Sequence, residues 1–297
     1  MKMFHQQKPN WLKKRLAINN EQKQVYNLLR RSNLHTVCES ALCPNIAECF
    51  GKKTATFMIL GDICTRNCRF CAISSGTPLP VDSDEPKRLV FAAREMGLKH
   101  IVITSVTRDD LPDGGAGHFA ITVEEIHKEL PDTTIEVLTP DFQGDESSLE
   151  IVIHSHPDIF NHNLETVPRL YHEIRPMADY RRSLSILKKA KDIDPNINTK
   201  SGIMLGLGEH RQEVSKAMSD LLDAGCDILT VGQYLSPSQG HAEIKEYIHP
   251  DVFKDIERKA YELGFAYVAS GPFVRSSFNA AEACNALNKN KFTIQVI

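Results

Sequence analysis

From Thr54 to about Ser270 the chain alternates short, β-branched apolar runs with longer amphipathic ones, and that alternation limits the fold more than any other feature. Strands are predicted at Thr56–Leu60, Ile101–Ser105, Ile135–Thr139, Ile159–His162, Ser201–Leu205, Ile228–Val231 and Ala266–Ala269. Between them, Phe119, Val123, Ile126 and Leu130 fall on one helix face. So do Val214, Met218 and Leu221 with Gly225 as the cap, and Phe253, Ile256, Ala260 and Leu263 closed by Gly264. Strand–helix–strand alternation implies a parallel sheet with helical crossovers. Six or seven strands, not eight, predict an α/β fold of the incomplete (β/α)6-type TIM barrel. In such barrels the reactive positions lie at the C-terminal ends of the strands. The stretch Asp141–Pro157 carries no clear pattern.

Three regions follow: an N-terminal extension at 1–53, the barrel at 54–270 and a C-terminal segment at 271–297. In the first, a helix is predicted from Glu21 to Arg31, with Val25, Leu28 and Leu29 on one face, Asn20 as cap, and Arg30 and Arg31 at its negative end. An irregular cysteine-bearing stretch containing Pro44 comes next, and the tail after Phe292 is expected to be mobile or to dock weakly. A chain of 297 residues can bury a large core without staples. The longest unbroken apolar runs, Leu89–Ala93 and Phe265–Ala269, are five residues each, whereas a membrane span needs roughly 20. The opening MKMFHQQKPNW has no apolar h-region, so no secretory leader is expected, and a cytoplasmic location is. A net charge of −3 gives no reason to expect nucleic acid or a membrane as partner.

Eight cysteines are present, and six of them lie between Cys38 and Cys71. In a chain that is neither small nor visibly secreted, clustered cysteines read as metal ligands before disulfides. Cys64, Cys68 and Cys71 follow the first strand as C-x3-C-x2-C in GDICTRNCRFCAI. Three thiolates can bind three irons of a 4Fe–4S cubane and leave the fourth open to an amine and a carboxylate of a small molecule. The same spacing shares a helix face, and with a histidine it could hold zinc. The place after a strand, with Phe70 before the last cysteine, favours the cluster. Cys38, Cys43 and Cys49 form C-x4-C-x5-C. That set fits a zinc knuckle, buried thiols, or a second cluster whose fourth ligand comes from elsewhere. Cys226 and Cys284 stand alone and read as ordinary thiols. There is no HExxH, GxGxxG or GxSxG motif.

With these motifs the sequence resembles, over nearly its whole length, the lipoyl synthases, which are radical S-adenosylmethionine (SAM) enzymes. C-x3-C-x2-C alone marks the superfamily, and C-x4-C-x5-C upstream of it marks the lipoyl synthases. Further matches are VITSVTRDDLPDGGA (Val102–Ala116), NHNLETV (Asn161–Val167), SGIMLGLGE (Ser201–Glu209), VGQYLSPS (Val231–Ser238) and GPFVRSSF (Gly271–Phe278). The family usually has Tyr where this chain has Phe278. The resemblance implies a radical SAM partial barrel and two 4Fe–4S clusters. Cys64, Cys68 and Cys71 would hold the SAM-binding cluster, and Cys38, Cys43 and Cys49 an auxiliary one with Ser277 as its fourth ligand.

The resemblance also implies a SAM site. Gly202, Met204, Gly206 and Glu209 fit the superfamily's G-x-I-x-G-x-x-E pattern near adenosine, and Thr104 and Ser105 would meet the methionyl group. Asn161, His162, Asn163 and Glu165 would orient SAM or the acyl chain, or form a plain loop network. Arg275 would steer the RSS segment or a carboxylate, which makes it and Ser277 the catalytic candidates. Asp109, Asp110 and Asp113, with Gly114 and Gly115 after them, read as a turn in preference to a divalent-metal site.

The implied reaction inserts sulfur at carbons 6 and 8 of a protein-bound octanoyl group, with the auxiliary cluster as donor. Those carbons bear no acidic hydrogen, so acid–base help of roughly 10²–10⁴-fold does not reach them and radical chemistry does. Implied partners are octanoylated lipoyl-carrier domains (2-oxoacid dehydrogenase E2, glycine cleavage H protein) and an electron donor such as ferredoxin or flavodoxin. The basic run Lys13, Lys14 and Arg15 is either a solvated surface or an attractor for an acidic carrier. The rival readings are another radical SAM sulfur-inserting or methylthiolating enzyme and a zinc-bearing binding protein.

Overall fold

The structure, a computed structural model, describes residues 7–13, 20–52, 54–277, 280–284 and 286–287. Its strands are β1 (His35–Thr36), β2 (Thr56–Ile59), β3 (Ile63–Cys64), β4 (Ser74–Ser75), β5 (His100–Ser105), β6 (Thr134–Leu138), β7 (Ile159–Asn161), β8 (Asn198–Leu205), β9 (Ile228–Gln233) and β10 (Tyr267–Gly271). Eight of them make one sheet in the order β1-β2-β5-β6-β7-β8-β9-β10, and β3 pairs separately with β4. From β2 to β10 every neighbouring pair in that sheet is parallel. All seven strands expected from the sequence are present, and the parallel set therefore has seven strands, one more than a (β/α)6 barrel. The added β1 runs antiparallel along the outer edge of β2, with His35 opposite Met58 and Thr36 opposite Phe57. β1 and β10 end the strand order, so the barrel stays open between them.

Helices fill the crossovers. In chain order they are α1 (Asn20–Arg31), α2 (Val37–Ser40), α3 (Ile46–Gly51), α4 (Glu85–Met96), α5 (Ala116–Glu129), α6 (Glu146–His154), α7 (Tyr171–Ile174), α8 (Tyr180–Ile193), α9 (Arg211–Asp223) and α10 (Pro250–Leu263). The predicted faces of α5 and α9 are buried, Phe119, Val123, Ile126, Val214, Met218 and Leu221 among them. In α10 the buried face is narrower than the periodicity implied: Phe253 and Ala260 are buried, but Leu263 is 39% exposed. Its end is set by Gly264 at φ +118°, whose N–H closes on Ala260 and Tyr261, a conformation that costs glycine little. The patternless stretch Asp141–Pro157 contains α6, started by Asp145, whose carboxylate accepts the Ser148 N–H at 2.8 Å.

After β10 the chain turns back across the barrel. Ser276 reaches Asn161 at the end of β7, while Ala283, Cys284 and Leu287 pack on Ile159, Ile228 and Tyr267, the first residues of β7, β9 and β10. Ser276 and Ser277 thus line the barrel's cavity, and Ala283, Cys284 and Leu287 underlie its N-terminal end. The expectations for Lys14, Arg15, Phe278 and the tail after Phe292 concern residues outside those described.

Candidate functional site

A cavity of about 350 Å³ sits at the C-terminal ends of the parallel strands. Five of the six clustered cysteines line it: Cys38, Cys43, Cys64, Cys68 and Cys71. Cys49 lies just behind, in α3, close enough to disfavour ionisation of Cys38.

The first triad is built by the turn that ends β2. Leu60 and Gly61 take φ values of +68° and +90°, and the Leu60 N–H is held by Glu85 at 2.9 Å. His118 faces the same carboxylate at 2.7 Å, so a buried acid–imidazole pair supports the strained leucine. The β3–β4 ladder then closes the loop on both sides of Cys64, Cys68 and Cys71. The Cys64 sulfur accepts N–H groups from Arg66 at 3.4 Å and Thr107 at 3.3 Å.

The Arg66 side chain, only 6% exposed, is clamped by both oxygens of Asp109 at 2.6 and 2.8 Å and by Asp141 at 2.6 Å. Asp141 also accepts Arg182 at 2.7 Å, and its two arginine partners hold its carboxyl well below the usual range despite burial. Asp110 pairs with Arg108, and Asp113 accepts the N–H groups of Gly115 and Gly117. The aspartates therefore brace loops, as the turn reading expects.

Burial pushes the Cys71 thiol up to about 12, and its neighbours Cys68 and Cys64 add to the shift. Burial likewise raises Cys68, against the pull of the Arg175 guanidinium. Cys38 rises to about 12 by burial, opposed by hydrogen bonds from Thr56 and reinforced by Cys43 and Cys49. Burial thus holds Cys38 in one triad, and Cys68 and Cys71 in the other, against ionising. Bound cationic iron supplies the missing positive charge, so the donor sets fit clusters. Among the described residues no three Cys, His, Asp or Glu side chains gather for one ion.

The two RSS serines differ sharply. Ser276 is pinned on two sides: Asn161 Nδ2 donates to it at 2.8 Å and it donates to Asn163 Oδ1 at 3.0 Å. Ser277 lines the cavity beside Cys38 and Cys43, and among the described residues its hydroxyl has one hydrogen-bond partner, Thr56 at 2.8 Å. Ser276 Oγ is held by two side chains and Ser277 Oγ by one, so Ser277 is the freer of the two to take another ligand. Arg275 lines the same wall, its guanidinium near Cys43 and Glu165 and its basicity lowered by burial.

The rest of the wall suits a polar ligand. Ser105 Oγ, Thr139 Oγ1, His162 Nε2 and Arg175 Nε are buried without partners among the described residues, and all four residues line the cavity. The His162 Nδ1 faces the Thr139 carbonyl at 2.9 Å, so Nδ1 carries the hydrogen and Nε2 is a bare acceptor. Burial, then Arg175, lowers that imidazole to about 4 and keeps it neutral. Orphaned buried polar atoms of both kinds fit a ligand as polar as SAM.

Thr104, Ser105, Asn163, Glu165, Gly202 and Met204 line the cavity. Glu165 is held at φ +67° and receives Asn163 Nδ2 at 3.0 Å. Asn161 lies below the lining, pinned by Glu136 at 2.7 Å, which Lys200 neutralises at 2.8 and 2.9 Å. Gly206 and Glu209 are not brought into the lining. Glu209 instead accepts the Gly206 and Leu207 N–H groups at 2.6 and 2.9 Å and folds the turn after β8. A Cβ on Gly206 would strike the Gln233 side chain and the Glu246 carbonyl, so its smallness serves packing of the 234–248 loop. Sequence reasoning missed Thr139 and Arg175. Thr139 sat at a predicted strand end, a usable signal, but Arg175 arrives from the end of α7 with no local motif to mark it.

The family model of the Radical SAM superfamily matches residues 58–221. The lipoyl synthase of Caldanaerobacter subterraneus subsp. tengcongensis is 57% identical over 92% of this chain and 95% of its own. That of Caldicellulosiruptor bescii is 54% identical over 94% and 96%. Among solved structures, Streptococcus suis SuiB bound to precursor peptide SuiA superposes with a TM-score of 0.57 at 14% identity, over 86% of this chain and 55% of that one. The [FeFe]-hydrogenase maturase HydG gives 0.55 at 16%, over 82% and 62%. These two likenesses concern the fold alone. Sequence identity sustained over more than nine-tenths of the chain, on a partial barrel that turns cysteines of both triads toward one cavity, places this chain in the lipoyl synthase family of the radical SAM superfamily.

Proposed function

We propose that this protein is a radical SAM sulfurtransferase that inserts two sulfur atoms, at carbons 6 and 8, into an octanoyl group carried by a lipoyl domain. The observation that carries the reading is the meeting of Cys64, Cys68 and Cys71 with Cys38, Cys43 and Ser277 around a single cavity. When bound, SAM and the two clusters supply hydrogen-atom abstraction from unactivated carbon and the sulfur itself.

The chain's own residues do the rest. Cys64, Cys68 and Cys71 hold the SAM-binding cluster on a loop braced by the Arg66–Asp109–Asp141 pairs. Cys38, Cys43, Cys49 and Ser277 hold the auxiliary one. Thr104, Ser105, His162, Asn163, Glu165, Gly202 and Met204 form the wall that receives SAM. His162 offers an acceptor, and Arg175 a donor, to groups that would otherwise be buried unpaired. Ala41, Leu42, Pro44 and Val274 give the same cavity an apolar side suited to an acyl chain. Arg275 sits where the two halves meet, facing Glu165 and Cys43.

No helix among the described residues is long and apolar enough to cross a membrane. We assign the protein to the cytoplasm, with 2-oxoacid dehydrogenase E2 and glycine cleavage H domains as carriers and a ferredoxin or flavodoxin as reductant. Metal and sulfide analysis of anaerobically purified protein tests the reading. About eight irons and eight labile sulfides per chain are expected from two cubanes. Zinc without sulfide would overturn it.

A further inference from the structure

Thr56 is the first residue of β2, and its side chain faces into the barrel, 4% exposed. Its hydroxyl lies 2.8 Å from Ser277 Oγ, although the two residues are 221 positions apart. The same residue faces Cys38: its backbone N–H bears on the Cys38 sulfur, while its one hydroxyl hydrogen goes to Ser277. The fold makes this meeting unavoidable. β1 runs antiparallel along β2, so the chain leaving Thr36 enters α2 beside the start of β2 and carries Cys38 there. The C-terminal segment comes from the other side, anchored by Asn45 Nδ2 on the Phe273 carbonyl at 2.7 Å and by Asn161 on Ser276. Thr56 is the point where extension, barrel and C-terminal segment converge.

We propose that Thr56 is a positioning residue of the auxiliary site, whose hydroxyl holds Ser277 Oγ against Cys38 and stabilises it as an iron ligand. This rests on the reading of Ser277 as the fourth ligand. Hydrogen bonds to charged acceptors are about twice as strong as neutral ones. A donor at 2.8 Å therefore gains strength when Ser277 carries the negative charge of a bound oxygen, and it fixes the rotamer beforehand. Serine oxygen is a harder ligand than the three thiolates and holds this kind of iron less firmly. Support from Thr56 decides how long that iron stays. The pair therefore sets the lability of the one cluster corner that sulfur donation has to open.

The test uses the full chain with Cys64, Cys68 and Cys71 changed to Ala, reconstituted anaerobically, so that only the auxiliary triad carries iron. The readout is the rate at which a chelator extracts iron, followed by the loss of visible absorbance. Thr56→Val keeps the branched shape and removes the hydroxyl; it is expected to lose iron about tenfold faster, while Thr56→Ser stays within about twofold of the parent. Ser277→Cys substitutes a thiolate that needs no such support, so adding Thr56→Val to Ser277→Cys is expected to change nothing. A Thr56→Val effect that persists in the Ser277→Cys background would make Thr56 a mere packing residue and overturn the inference. Parent-like extraction from Thr56→Val, with fast extraction from Ser277→Ala, would overturn it too and leave the ligand reading intact. Parent-like extraction from Ser277→Ala would remove the ligand reading beneath it. Should Thr56→Val fail to fold, Thr56→Ser and Thr56→Ala decide the question by the same comparison.

Discussion

At the scale of the residue, the proposed function gives the two triads different tasks. Changing Cys64, Cys68 or Cys71 to Ala is expected to abolish reductive SAM cleavage. Changing Cys38, Cys43 or Cys49 is expected to leave cleavage measurable and stop sulfur transfer. Quantifying 5′-deoxyadenosine and lipoyl product side by side checks both; lipoyl product from the second group would deny the auxiliary cluster its donor role. His162 supplies a pH signature. Burial lowers its folded-state pKa to about 4, below the ordinary 6.5, with Arg175 adding to the shift. Between those values the unfolded chain binds a proton that the folded chain refuses, so stability falls as pH drops through that window. In the cluster-free chain, urea unfolding at pH 5 and pH 7 is expected to differ by about 2 kcal/mol more for the parent than for His162→Asn. Equal pH dependence in the two proteins would show that His162 is not buried neutral.

What could be read residue by residue follows the range of each interaction. Cysteine spacing is local, so both triads could be read directly. Ser277 is marked by family likeness alone, and Thr56 by nothing, because their contact closes only when strand and terminus meet. Glu209 misled for the complementary reason: a glutamate three residues beyond Gly206 looks like a ligand contact, yet its carboxylate folds back on the turn itself.

At the scale of the element, the strands were readable because a parallel sheet buried on both faces demands apolar β-branched runs, and each such run became a strand. β1 was not, since two residues carry no period; its pairing depends on β2 being in place. α6 was missed because nine residues give few apolar repeats, and its clearest mark is the Asp145 cap. Asp145→Ala is expected to cost about 1 kcal/mol of stability, read as a shift in the urea midpoint. Iron content should stay at the parent level, because α6 lies outside the cavity lining. A loss of iron would show that α6 reaches the site through Asp141.

At the scale of the whole molecule, the open barrel is what makes the site possible. A closed eight-stranded barrel would fill its interior with side chains. Here the strand order leaves β1 and β10 unpaired with each other, and the residues after β10 bring Arg275, Ser276 and Ser277 to cysteines contributed by the other end of the chain. The two chain ends depend on each other through Asn45 and Thr56. The sequence showed the parallel barrel but not this closure, which is a property of the assembled fold.

The most direct measurement is mass spectrometry of an octanoylated lipoyl-domain peptide after anaerobic incubation with the reconstituted protein, SAM and a reductant. The account predicts a product heavier by two sulfurs and lighter by two hydrogens, formed with no sulfide source other than the protein. An unchanged octanoyl peptide, recovered while SAM is cleaved, would contradict it.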